Sequence, residues 1–453
     1  MFALVRFLKY KNHIITGSDI YESDIISKIK DLNIKINLNH DKKNVENADL
    51  IVYSSAVDKK NVEILEAKRK NIPILTRCEL LGIISKSYKN LVGVSGTHGK
   101  TTTTALIAHI LLDSGVEPNA IIGGTLSRLN GNSCIGNSDI LICEACEYKD
   151  SFLKLFPKIS VITNLEPDHM DYFKNIDNLK KSFEKFMSQT KDLIIFNGDD
   201  LGTKNLISNI KDKEIISYGI YKDCNYLAKN ITFDKNQYSS YDLFYKNNFI
   251  ENISLKIHGK FNIYNSLAAI ITCLKLDTDI KIIKKSVESF KGVHRRFEIL
   301  KIFNNITIAD DFAHHPTEIK STLSSAKKMN FRKIWLIFQP HTFSRTKMFL
   351  NEFAESLSIA DKVILTEILP VRETNIYNIY SKDLSKKIKN SVIINEFKKI
   401  ADYVTKNAES GDLILTMGGG NIYKCANMIS KSYVFLPEKS KEVTKFSSSV
   451  QIT

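Results

Sequence analysis

The chain has 453 residues, of which 43% are hydrophobic and 25% are charged, values close to the average of soluble globular proteins. This composition excludes an intrinsically disordered or fibrous chain, and the length predicts about three domains. No apolar run approaches the ~18–20 residues of a membrane helix, and the N-terminus carries no recognisable secretory signal. The seven cysteines are spread over a long chain, so we expect a reduced, cytoplasmic protein.

The formal charge of +14 could favour nucleic acids or acidic small molecules. However, the lysines are scattered, and no basic block is interleaved with aromatic residues. We therefore expect no nucleic-acid partner and no membrane partner. An anionic, phosphorylated substrate would suit the charge equally well.

Short apolar runs alternate with amphipathic segments, a pattern that is typical of βα units around parallel sheets. We predict an α/β protein of three domains followed by a flexible tail. The predicted order is a Rossmann-like N-terminal domain over residues 1–88, a central P-loop ATPase-like parallel sheet with a small antiparallel sheet over residues 89–296, a C-terminal Rossmann-like domain over residues 297–436, and the tail over residues 437–453.

The predicted elements follow the chain in three groups. In the first group we predict helices over Ala3–Lys9, Asp24–Asp31 and Lys60–Lys70, with strands over His13–Gly17, Ile34–Leu38, Asp49–Tyr53 and Ile72–Leu75. In the second we predict helices over Lys100–Ser114 and Asn262–Leu276, strands over Leu91–Val94, Asp139–Cys143, Ile159–Thr163 and Leu193–Phe196, and antiparallel strands within Asn225–Ile257. In the third we predict strands over Ile306–Ala309, Lys333–Phe338, Lys362–Thr366 and Asp412–Thr416.

The start of the sequence differs from the usual order of a nucleotide-binding domain, which is strand, Gly-rich turn and helix. Here the chain begins inside a helix, so the first strand and the Gly-rich loop are missing. The apolar stripe on that helix, expected to lack a strand to pack on, consists of Ala3, Leu4, Phe7 and Leu8.

A glycine-rich segment between a strand and a helix, Gly93–Thr102, is the strongest motif. Its glycines let backbone N–H groups converge on phosphate oxygens, and the following helix adds a partial positive charge. Lys100 can reach the β- and γ-phosphates and Thr101 can bind Mg²⁺. A chance glycine-rich turn is the alternative. The residues predicted to bind the nucleotide are Gly96, Thr97, His98, Gly99, Lys100, Thr101 and Thr102.

Acidic and imidazole side chains follow two predicted strands of the central sheet. Glu144 comes directly after the predicted strand Asp139–Cys143, and His169 lies in the segment after the predicted strand Ile159–Thr163. Ligands bind beyond the carboxyl ends of parallel strands, so we predict Mg²⁺ binding by Thr101, Glu144 and His169. Surface acids that cap helices are the alternative. A lone C-x-x-C, Cys143 to Cys146, lacks the second ligand pair of a zinc site, and we disfavour zinc or redox chemistry there.

Taken together, the motifs resemble those of the Mur ligases, the ATP-dependent amide-forming enzymes of peptidoglycan precursor synthesis, and within that family the branch that adds L-alanine. The phosphate loop alone would also match folylpolyglutamate synthases. The stretches Asp310–Glu318 and Phe338–Thr346 narrow the resemblance to the alanine-adding branch. The matching stretches, in the family's order, are Ser95–Thr104, Glu144–Phe152, Thr163–Asp171, Phe261–Ala269, His294–Phe297, Asp310–Glu318, Phe338–Thr346 and Met417–Tyr423.

The resemblance implies that ATP and Mg²⁺ are the cofactors and that UDP-N-acetylmuramate and L-alanine are the partners of a monomer or homodimer. The implied chemistry phosphorylates the muramoyl carboxylate and then lets the alanine amine displace phosphate. The residues implied to be catalytic are Lys100, His169, Arg296, His314, His341 and Arg345.

The resemblance also implies binding roles outside the phosphate loop. Asn262 and Asn265 match positions that flank the adenine, Arg296 an arginine that reaches the ATP phosphates, and Asp311 an aspartate near the ribose. His341 and Arg345 match the amino-acid side, where a bidentate guanidinium suits a carboxylate. The turns that resemble the sugar-nucleotide site contain Ser18, Asp19, Ser54 and Ser55.

The resemblance leaves other functions open. Because the Gly-rich loop that wraps the UDP pyrophosphate is missing, the chain could be a truncated or mis-started ligase with weakened UDP-sugar binding, or a degenerate nucleotide-binding relative. Thr342 stands where many relatives carry arginine, so a sibling ligase that takes another amino acid or a peptide is a further alternative.

Overall fold

The computed structural model describes residues 1–221, 223–371 and 373–433. The chain forms two compact units, one built mainly from Met1–Glu298 and the other from residues that follow Ile299. Within the described ranges, no helix combines the length and the apolar character that a membrane span requires. The tail predicted over residues 437–453 lies outside the described residues.

The first part of the larger unit contains short strands that pair as two separate two-stranded parallel sheets, β1 with β2 and β3 with β4. A fourth helix, which the sequence analysis did not predict, begins with a capping box between Thr76 and Glu79. The elements are α1 (Phe2–Tyr10), β1 (Thr16–Ser18), α2 (Asp24–Lys30), β2 (Lys35–Asn37), a 3₁₀ turn (Lys42–Val45), β3 (Ile51–Tyr53), α3 (Val62–Arg69), β4 (Ile74–Thr76) and α4 (Arg77–Ser85).

The apolar stripe of α1 does not lack a packing partner, which corrects the expectation from the sequence. Ala3, Leu4 and Phe7 are buried in a hydrophobic cluster with side chains of the central sheet, such as Leu91 and Leu141. Arg6 donates a hydrogen bond from Nη1 to the carbonyl of Ser133 at 3.0 Å. The first helix is therefore anchored on the sheet that carries the phosphate loop.

The centre of the larger unit is one ten-stranded sheet in the order β14-β13-β12-β11-β10-β9-β5-β8-β6-β7. Its strands are β5 (Asn90–Ser95), β6 (Asn119–Leu126), β7 (Gly131–Cys134), β8 (Ile140–Glu144), β9 (Ile159–Ile162), β10 (Leu193–Asn197), β11 (Glu214–Gly219), β12 (Tyr226–Phe233), β13 (Tyr238–Tyr245) and β14 (Asn248–His258). The helices of this region are α5 (Lys100–Asp113), α6 (Met170–Phe173), α7 (Ile176–Gln189), α8 (Leu201–Ile207), α9 (Phe261–Leu274) and α10 (Ile280–Ser289), and there are 3₁₀ turns at Ser127–Leu129 and Tyr148–Lys154.

The middle strands of this sheet are parallel, whereas β12–β13, β13–β14 and β6–β7 pair in antiparallel fashion. The antiparallel strands predicted from the period-2 pattern are present, and they continue the edge of the parallel sheet. Helices α5 and α9 are buried on nearly all sides. Helices buried in this way belong to the protein core, so the phosphate loop opens directly into the core of the unit.

The second unit contains a six-stranded sheet in the order β15-β16-β20-β17-β18-β19. The pairs that join β16, β20, β17, β18 and β19 are parallel, so the carboxyl ends of these strands meet at one edge. The elements are β15 (Glu298–Phe303), β16 (Ile306–Asp311), α11 (Pro316–Lys327), β17 (Ile334–Phe338), α12 (Phe343–Met348), α13 (Leu350–Leu357), β18 (Lys362–Leu365), α14 (Ser381–Ser385), β19 (Ser391–Ile393), α15 (Phe397–Asn407), β20 (Leu413–Met417) and α16 (Tyr423–Ser432).

Candidate active site

The loop between β5 and α5 needs glycine at two positions. Gly96 has φ +135° and Gly99 has φ +84°. A Cβ on Gly96 would lie 2.0 Å from Thr163 Oγ1, and a Cβ on Gly99 would lie 2.4 Å from Asn265 Oδ1. The loop is therefore closely packed on both flanks and leaves its backbone N–H groups at the start of a helix, where anions bind.

The end of β9 holds this loop from one side. The backbone N–H of His98 donates to Asn164 Oδ1 at 2.9 Å, and its carbonyl accepts from Asn164 Nδ2 at 3.0 Å and from Thr163 Oγ1 at 2.5 Å. The backbone of Thr97 is bonded to the carbonyl of Asn164 at 3.1 Å. These bonds fix the loop before any ligand arrives, which reduces the entropy that binding would cost.

Lys100 lies at the centre of the loop, with its ammonium bonded to the carbonyls of Gly96 and Thr97. Its Nζ is 3.0 Å from Glu147 Oε2, and the Glu147 side chain is only 3% exposed. Burial opposes the positive charge, but the carboxylates of Glu147 and Glu144 outweigh burial and raise the pKa of Lys100. A lysine that stays positively charged beside the loop can neutralise the negative charge of a bound polyphosphate.

Glu144 and Thr101 meet at a pair of glycines in β6. Glu144 Oε1 accepts a hydrogen bond from the backbone N–H of Gly123. A Cβ on Gly123 would lie 2.5 Å from Glu144 Oε2, and one on Gly124 would lie 3.0 Å from Thr101 Cγ2. The side chains of Glu144 and Thr101, both predicted to bind Mg²⁺, therefore lie against one glycine dipeptide beside the phosphate loop.

His169 lies beside Glu147 on the other side of the loop. Its Nε2 is 3.8 Å from Glu147 Oε1 and 3.7 Å from Asp168 Oδ2, and its ring centroid is 4.6 Å from that of Tyr148. The backbone of His169 is left-handed, with φ 55°. A non-glycine residue held in this conformation is a common feature of functional sites.

The 3₁₀ segment that follows Glu147 is strained and tightly held. Lys149 and Asp150 are both left-handed, with φ 53° and 54°. The Asp150 carboxylate accepts from Tyr172 Oη at 2.5 Å and from the hydroxyl of Ser182. Asp150 thus joins the loop after β8 to the loop after β9, and so holds the segments that carry Glu147 and His169.

The donors gathered around the loop fit a nucleoside triphosphate with a hard divalent cation. Carboxylate and hydroxyl oxygens are the ligands that a hard cation such as Mg²⁺ prefers. The hydroxyl of Ser95 is fully buried at the entrance to the loop and has no hydrogen-bond partner among the described residues. The narrow cradle that Gly96 and Gly99 leave beside Lys100 suits a phosphate chain.

The two asparagines of α9 act as a brace within the protein. Asn265 Nδ2 donates to Asn262 Oδ1 at 2.8 Å, and Asn262 Nδ2 donates to the carbonyl of His258 at 2.7 Å. The hydroxyl of Thr103 donates to Asn265 Oδ1 at 3.4 Å. Both amides are buried. Through these hydrogen bonds and the contact with Gly99, they connect α9 with the phosphate loop and the start of α5.

Arg296 follows a segment that is anchored near the glycine pair of β6. The backbone of His294 donates to the carbonyl of Thr125 at 3.0 Å, and a Cβ on Gly124 would lie 2.8 Å from Val293 Cγ1. Arg295 is left-handed with φ 62°, and its N–H donates to Glu298 Oε2 at 2.9 Å. The chain therefore leaves the large sheet at Arg295 and Arg296, next to the glycine pair that contacts Thr101 and Glu144.

The C-x-x-C pair shows no sign of redox chemistry. All seven cysteines, each in the described part of the chain, are free thiols. Burial raises the pKa of Cys143 to about 12 and that of Cys146 to about 11. Thiols that resist ionisation in this way are poor nucleophiles and poor metal ligands.

The predicted sugar-nucleotide turns lie at the ends of the short strands β1 and β3. The hydroxyl of Ser18 donates to Glu63 Oε2 at 2.7 Å and lies 3.3 Å from His40 Nδ1. Asp19 Oδ1 accepts the N–H of the next residue at 2.7 Å, and Ser54 Oγ accepts the N–H of Ala56 at 3.2 Å. Ser55 follows Ser54 in the same turn. These are turn geometries at strand ends, where substrates of α/β domains bind.

In the second unit, the ends of three neighbouring parallel strands converge. The buried Asp311 ends β16, and its Oδ1 accepts the N–H of Ala313 at 2.6 Å. The N–H of Gly418, just after β20, donates to the carbonyl of Asp311 at 3.1 Å, and the N–H of Gln339, just after β17, donates to the carbonyl of Met417 at 3.0 Å. These bonds bring the loops of all three strands together.

Those loops carry the predicted histidines and arginine of this unit. The ring centroids of His314 and His341 are 5.4 Å apart with a 71° interplanar angle. Arg345, which is buried, places Nη1 at 3.2 Å from His341 Nδ1. A Cβ on Gly419 would lie 3.2 Å from His341 Cδ2 and 3.3 Å from His314 Cγ. The structure thus brings these three residues together against one glycine backbone.

Sequence reasoning missed several residues that build the first site. Glu147, rather than Glu144, forms the ion pair with Lys100, and only its position three residues after Glu144 could have suggested it. Thr163 and Asn164 begin the motif stretch Thr163–Asp171, but the sequence assigned them no role, whereas the structure shows that they hold the loop. Gly123 and Gly124 lie in a strand that was not predicted.

Family models match almost the whole chain in three consecutive parts. The Mur ligase family catalytic domain matches residues 1–89, the Mur ligase middle domain matches residues 94–273, and the Mur ligase glutamate ligase domain matches residues 295–420.

Curated relatives are similar over nearly their full length. The chain is 44% identical to a UDP-N-acetylmuramate–L-alanine ligase of Caldanaerobacter subterraneus, over 94% of this chain and 93% of the relative. It is 43% identical to the ligase of the same description from Acetivibrio thermocellus, over 95% of this chain and 93% of the relative.

Solved structures agree in fold. The crystal structure of the UDP-N-acetylmuramate–alanine ligase of Thermotoga maritima covers 95% of this chain and 96% of its own, with a TM-score of 0.82 and 26% identity. A murein peptide ligase from Psychrobacter arcticus, with a TM-score of 0.73 and 21% identity over 96% of each chain, shares the fold. On the strength of three matching family models and relatives above 40% identity, the chain belongs to the Mur ligase family.

Proposed function

We propose that this chain joins L-alanine to the muramoyl carboxylate of UDP-N-acetylmuramate, with hydrolysis of ATP, in the synthesis of peptidoglycan precursors. The curated relatives that it matches over nearly their full length carry that description. The observation in the molecule that carries the proposal is the buried Lys100, charged and held between the phosphate loop and Glu147.

The chemistry explains why such a site is needed. A carboxylate is a poor electrophile, so it first attacks the γ-phosphate of ATP, and the resulting acyl phosphate carries a good leaving group. We assign Lys100 to the β- and γ-phosphates, with the backbone from Gly96 to Thr102 around them. Arg296 would add a second cation on the side of Thr101. Positioning and charge neutralisation account for most of the catalysis of phosphoryl transfer.

Mg²⁺ bound with ATP would neutralise the charge that develops on the transferred phosphoryl group. We assign Thr101, Glu144 and His169 as its protein ligands: hydroxyl and carboxylate oxygens suit a hard cation, and the assignment of His169 follows the family resemblance. Glu147 lies within 4 Å of both Lys100 and His169, so it links the phosphate lysine to the cation ligands.

The remaining assignments follow the order of the chain. We propose that residues 1–88 bind the UDP-sugar, with Ser18, Asp19, Ser54 and Ser55 at its turns, that residues 89–296 bind ATP, and that residues 297–436 present the amino acid. In the last section, we assign the guanidinium of Arg345 to the alanine carboxylate, His314 and His341 to the same amino-acid side, and Asp311 to the nucleotide ribose. Asn262 and Asn265 support the adenine side through the phosphate loop.

The first test replaces the phosphate lysine. Lys100→Ala should abolish alanine-dependent release of phosphate from ATP while the far-UV circular dichroism stays unchanged. The matched control is Lys320→Ala, which removes a lysine from an exposed ion pair with Glu355. Near-normal phosphate release by Lys100→Ala would show that the loop does not bind the triphosphate as proposed.

The second test separates the amino-acid assignment from its alternatives. Purified protein is given UDP-N-acetylmuramate and ATP with each amino acid in turn, and the product is identified by mass spectrometry. Alanine should give the amide product. A product formed only with another amino acid or a peptide would identify a sibling ligase, and His341→Ala or Arg345→Ala should raise the KM for alanine more than the KM for ATP.

A further inference from the structure

The two histidines at the carboxyl edge of the smaller sheet differ in the chemistry of their hydrogen-bond partners. Their rings are 5.4 Å apart and meet at 71°. Each ring has two nitrogens, and in the neutral form one donates a hydrogen bond while the other accepts one. The partner of Nδ1 therefore decides which role is left for Nε2.

His341 has a partner that can only donate. Arg345 Nη1 lies 3.2 Å from His341 Nδ1, and a guanidinium has no acceptor. His341 Nδ1 must therefore accept, and the ring proton lies on Nε2. The geometry therefore leaves His341 Nε2 as a hydrogen-bond donor.

His314 has a partner that can only accept. Its Nδ1 is 3.0 Å from the carbonyl oxygen of Phe312. Nδ1 must therefore carry the proton and donate it, which leaves the lone pair on Nε2. The tautomers of the two neighbouring imidazoles are thus opposite.

A carboxylate supports the positive form of His314. Glu318 Oε2 accepts the backbone N–H of His314 at 3.2 Å and lies 3.6 Å from its Nδ1. A negative charge at this distance stabilises an imidazolium, as the aspartate does in a serine protease triad. Gly419, whose backbone lies against both rings, keeps their orientation, since a Cβ there would lie within 3.3 Å of each.

We propose that His314 Nε2 is the general base that takes the proton from the ammonium group of alanine, while His341 acts as a hydrogen-bond donor. This inference rests on the proposed function. Alanine is an ammonium ion at neutral pH and cannot attack until it loses a proton. Once Nε2 has taken that proton, the nitrogen lone pair forms the C–N bond, the C–O bond to phosphate breaks with its electron pair, and the second N–H proton leaves on the phosphate.

Hydroxylamine provides the test, because it is uncharged at neutral pH and attacks an acyl phosphate without a base. The variants His314→Gln and His341→Gln are each assayed with UDP-N-acetylmuramate and ATP, with either alanine or hydroxylamine as the acceptor. Amide and hydroxamate products are quantified separately. We expect His314→Gln to lose about 10²–10⁴-fold in the alanine rate, the usual contribution of a general base, and to keep the hydroxamate rate.

The paired variant shows whether the loss reflects the base or the architecture of the site. At saturating concentrations of either acceptor, His341→Gln should change the two maximal rates by the same factor, because we assign it no proton uptake and its proposed contact with alanine affects the KM. Equal losses of both products in His314→Gln, or an alanine rate near that of the unmodified protein, would overturn the proposal. If the unmodified protein forms neither product, the proposed function itself fails, and the base assignment fails with it.

Discussion

Gly99 gives the sharpest test of how the phosphate loop is built. Replacing it with alanine keeps a backbone with φ +84° but adds a Cβ that would lie 2.4 Å from Asn265 Oδ1. The loop must then shift, or the asparagine must leave its place. A shifted loop misplaces the N–H groups that would bind phosphate, whereas a displaced asparagine gives up its bonds to Thr103 and Asn262.

The magnitude has two parts. A left-handed alanine costs about 1–2 kcal/mol relative to glycine. The loss of the two asparagine hydrogen bonds, at about 1 kcal/mol each, roughly doubles this cost. We expect Gly99→Ala to lose about 3 kcal/mol, divided between the free energy of unfolding and the free energy of ATP binding. If all of it appeared in binding, ATP affinity would fall by about 100-fold.

Two controls isolate the collision from the backbone cost. Gly115 has a similar φ of +77°, and a Cβ there would meet nothing within 4 Å. Gly115→Ala should therefore cost only the free energy of a left-handed alanine, about 1–2 kcal/mol. Adding Asn265→Ala to Gly99→Ala removes the obstructing atom and should recover part of the ATP affinity. Urea unfolding and calorimetric titration with a non-hydrolysable ATP analogue measure the two quantities.

The reasoning fails if Gly99→Ala lowers the sum of the free energies of unfolding and of ATP binding by no more than Gly115→Ala does. It also fails if the effects of Gly99→Ala and Asn265→Ala are simply additive, because residues in contact should show an interaction energy.

Three further predictions concern buried charge and a buried thiol. Glu147→Ala leaves Lys100 buried without its counter-charge and should cost about 3–5 kcal/mol in urea unfolding, whereas Glu355→Ala, in an exposed pair, should leave the midpoint unchanged. Because the pKa of Lys100 is raised, the stability that this charge adds should be fully present below the ordinary lysine pKa of 10.5 and should decline progressively as the pH rises from there through the raised pKa of the folded protein. Comparing Lys100→Met with the unmodified protein from pH 8 to 11 checks this, and a gap that narrows with falling pH contradicts it. Cys143 is fully buried, and burial raises its pKa to about 12, so it should react with a thiol reagent at pH 8 only after unfolding; fast labelling of this thiol in the folded protein would contradict its burial.

The features that depend on local sequence could be predicted. The phosphate loop needs only glycines, a lysine and the strand and helix around it, all within about ten consecutive residues, and Lys100 begins α5 as expected. The same holds for the antiparallel strands, whose alternation of buried and exposed residues is visible in β13.

What depends on packing could not be predicted. Strand β6 was missed because Gly123 and Gly124 weaken its pattern, yet those glycines make room for Glu144 and Thr101. Asn265 was assigned from resemblance alone, and its contact with the phosphate loop spans more than 160 residues of sequence. The approach of His314 to His341 likewise depends on the packing of two strand ends, since the two residues are well separated in the sequence.

The docking of α1 on the large sheet has a practical consequence for dividing the protein. A fragment that starts at residue 89 would keep every phosphate-loop residue but would lose Ala3, Leu4 and Phe7 from a shared apolar cluster. The uncovered surface includes Leu91 and Leu141, on the strands that carry the loop and Glu144. A nucleotide-binding fragment cut at this point would therefore expose apolar surface and tend to aggregate, so the boundary between the first two family matches does not separate pieces that each keep a covered core.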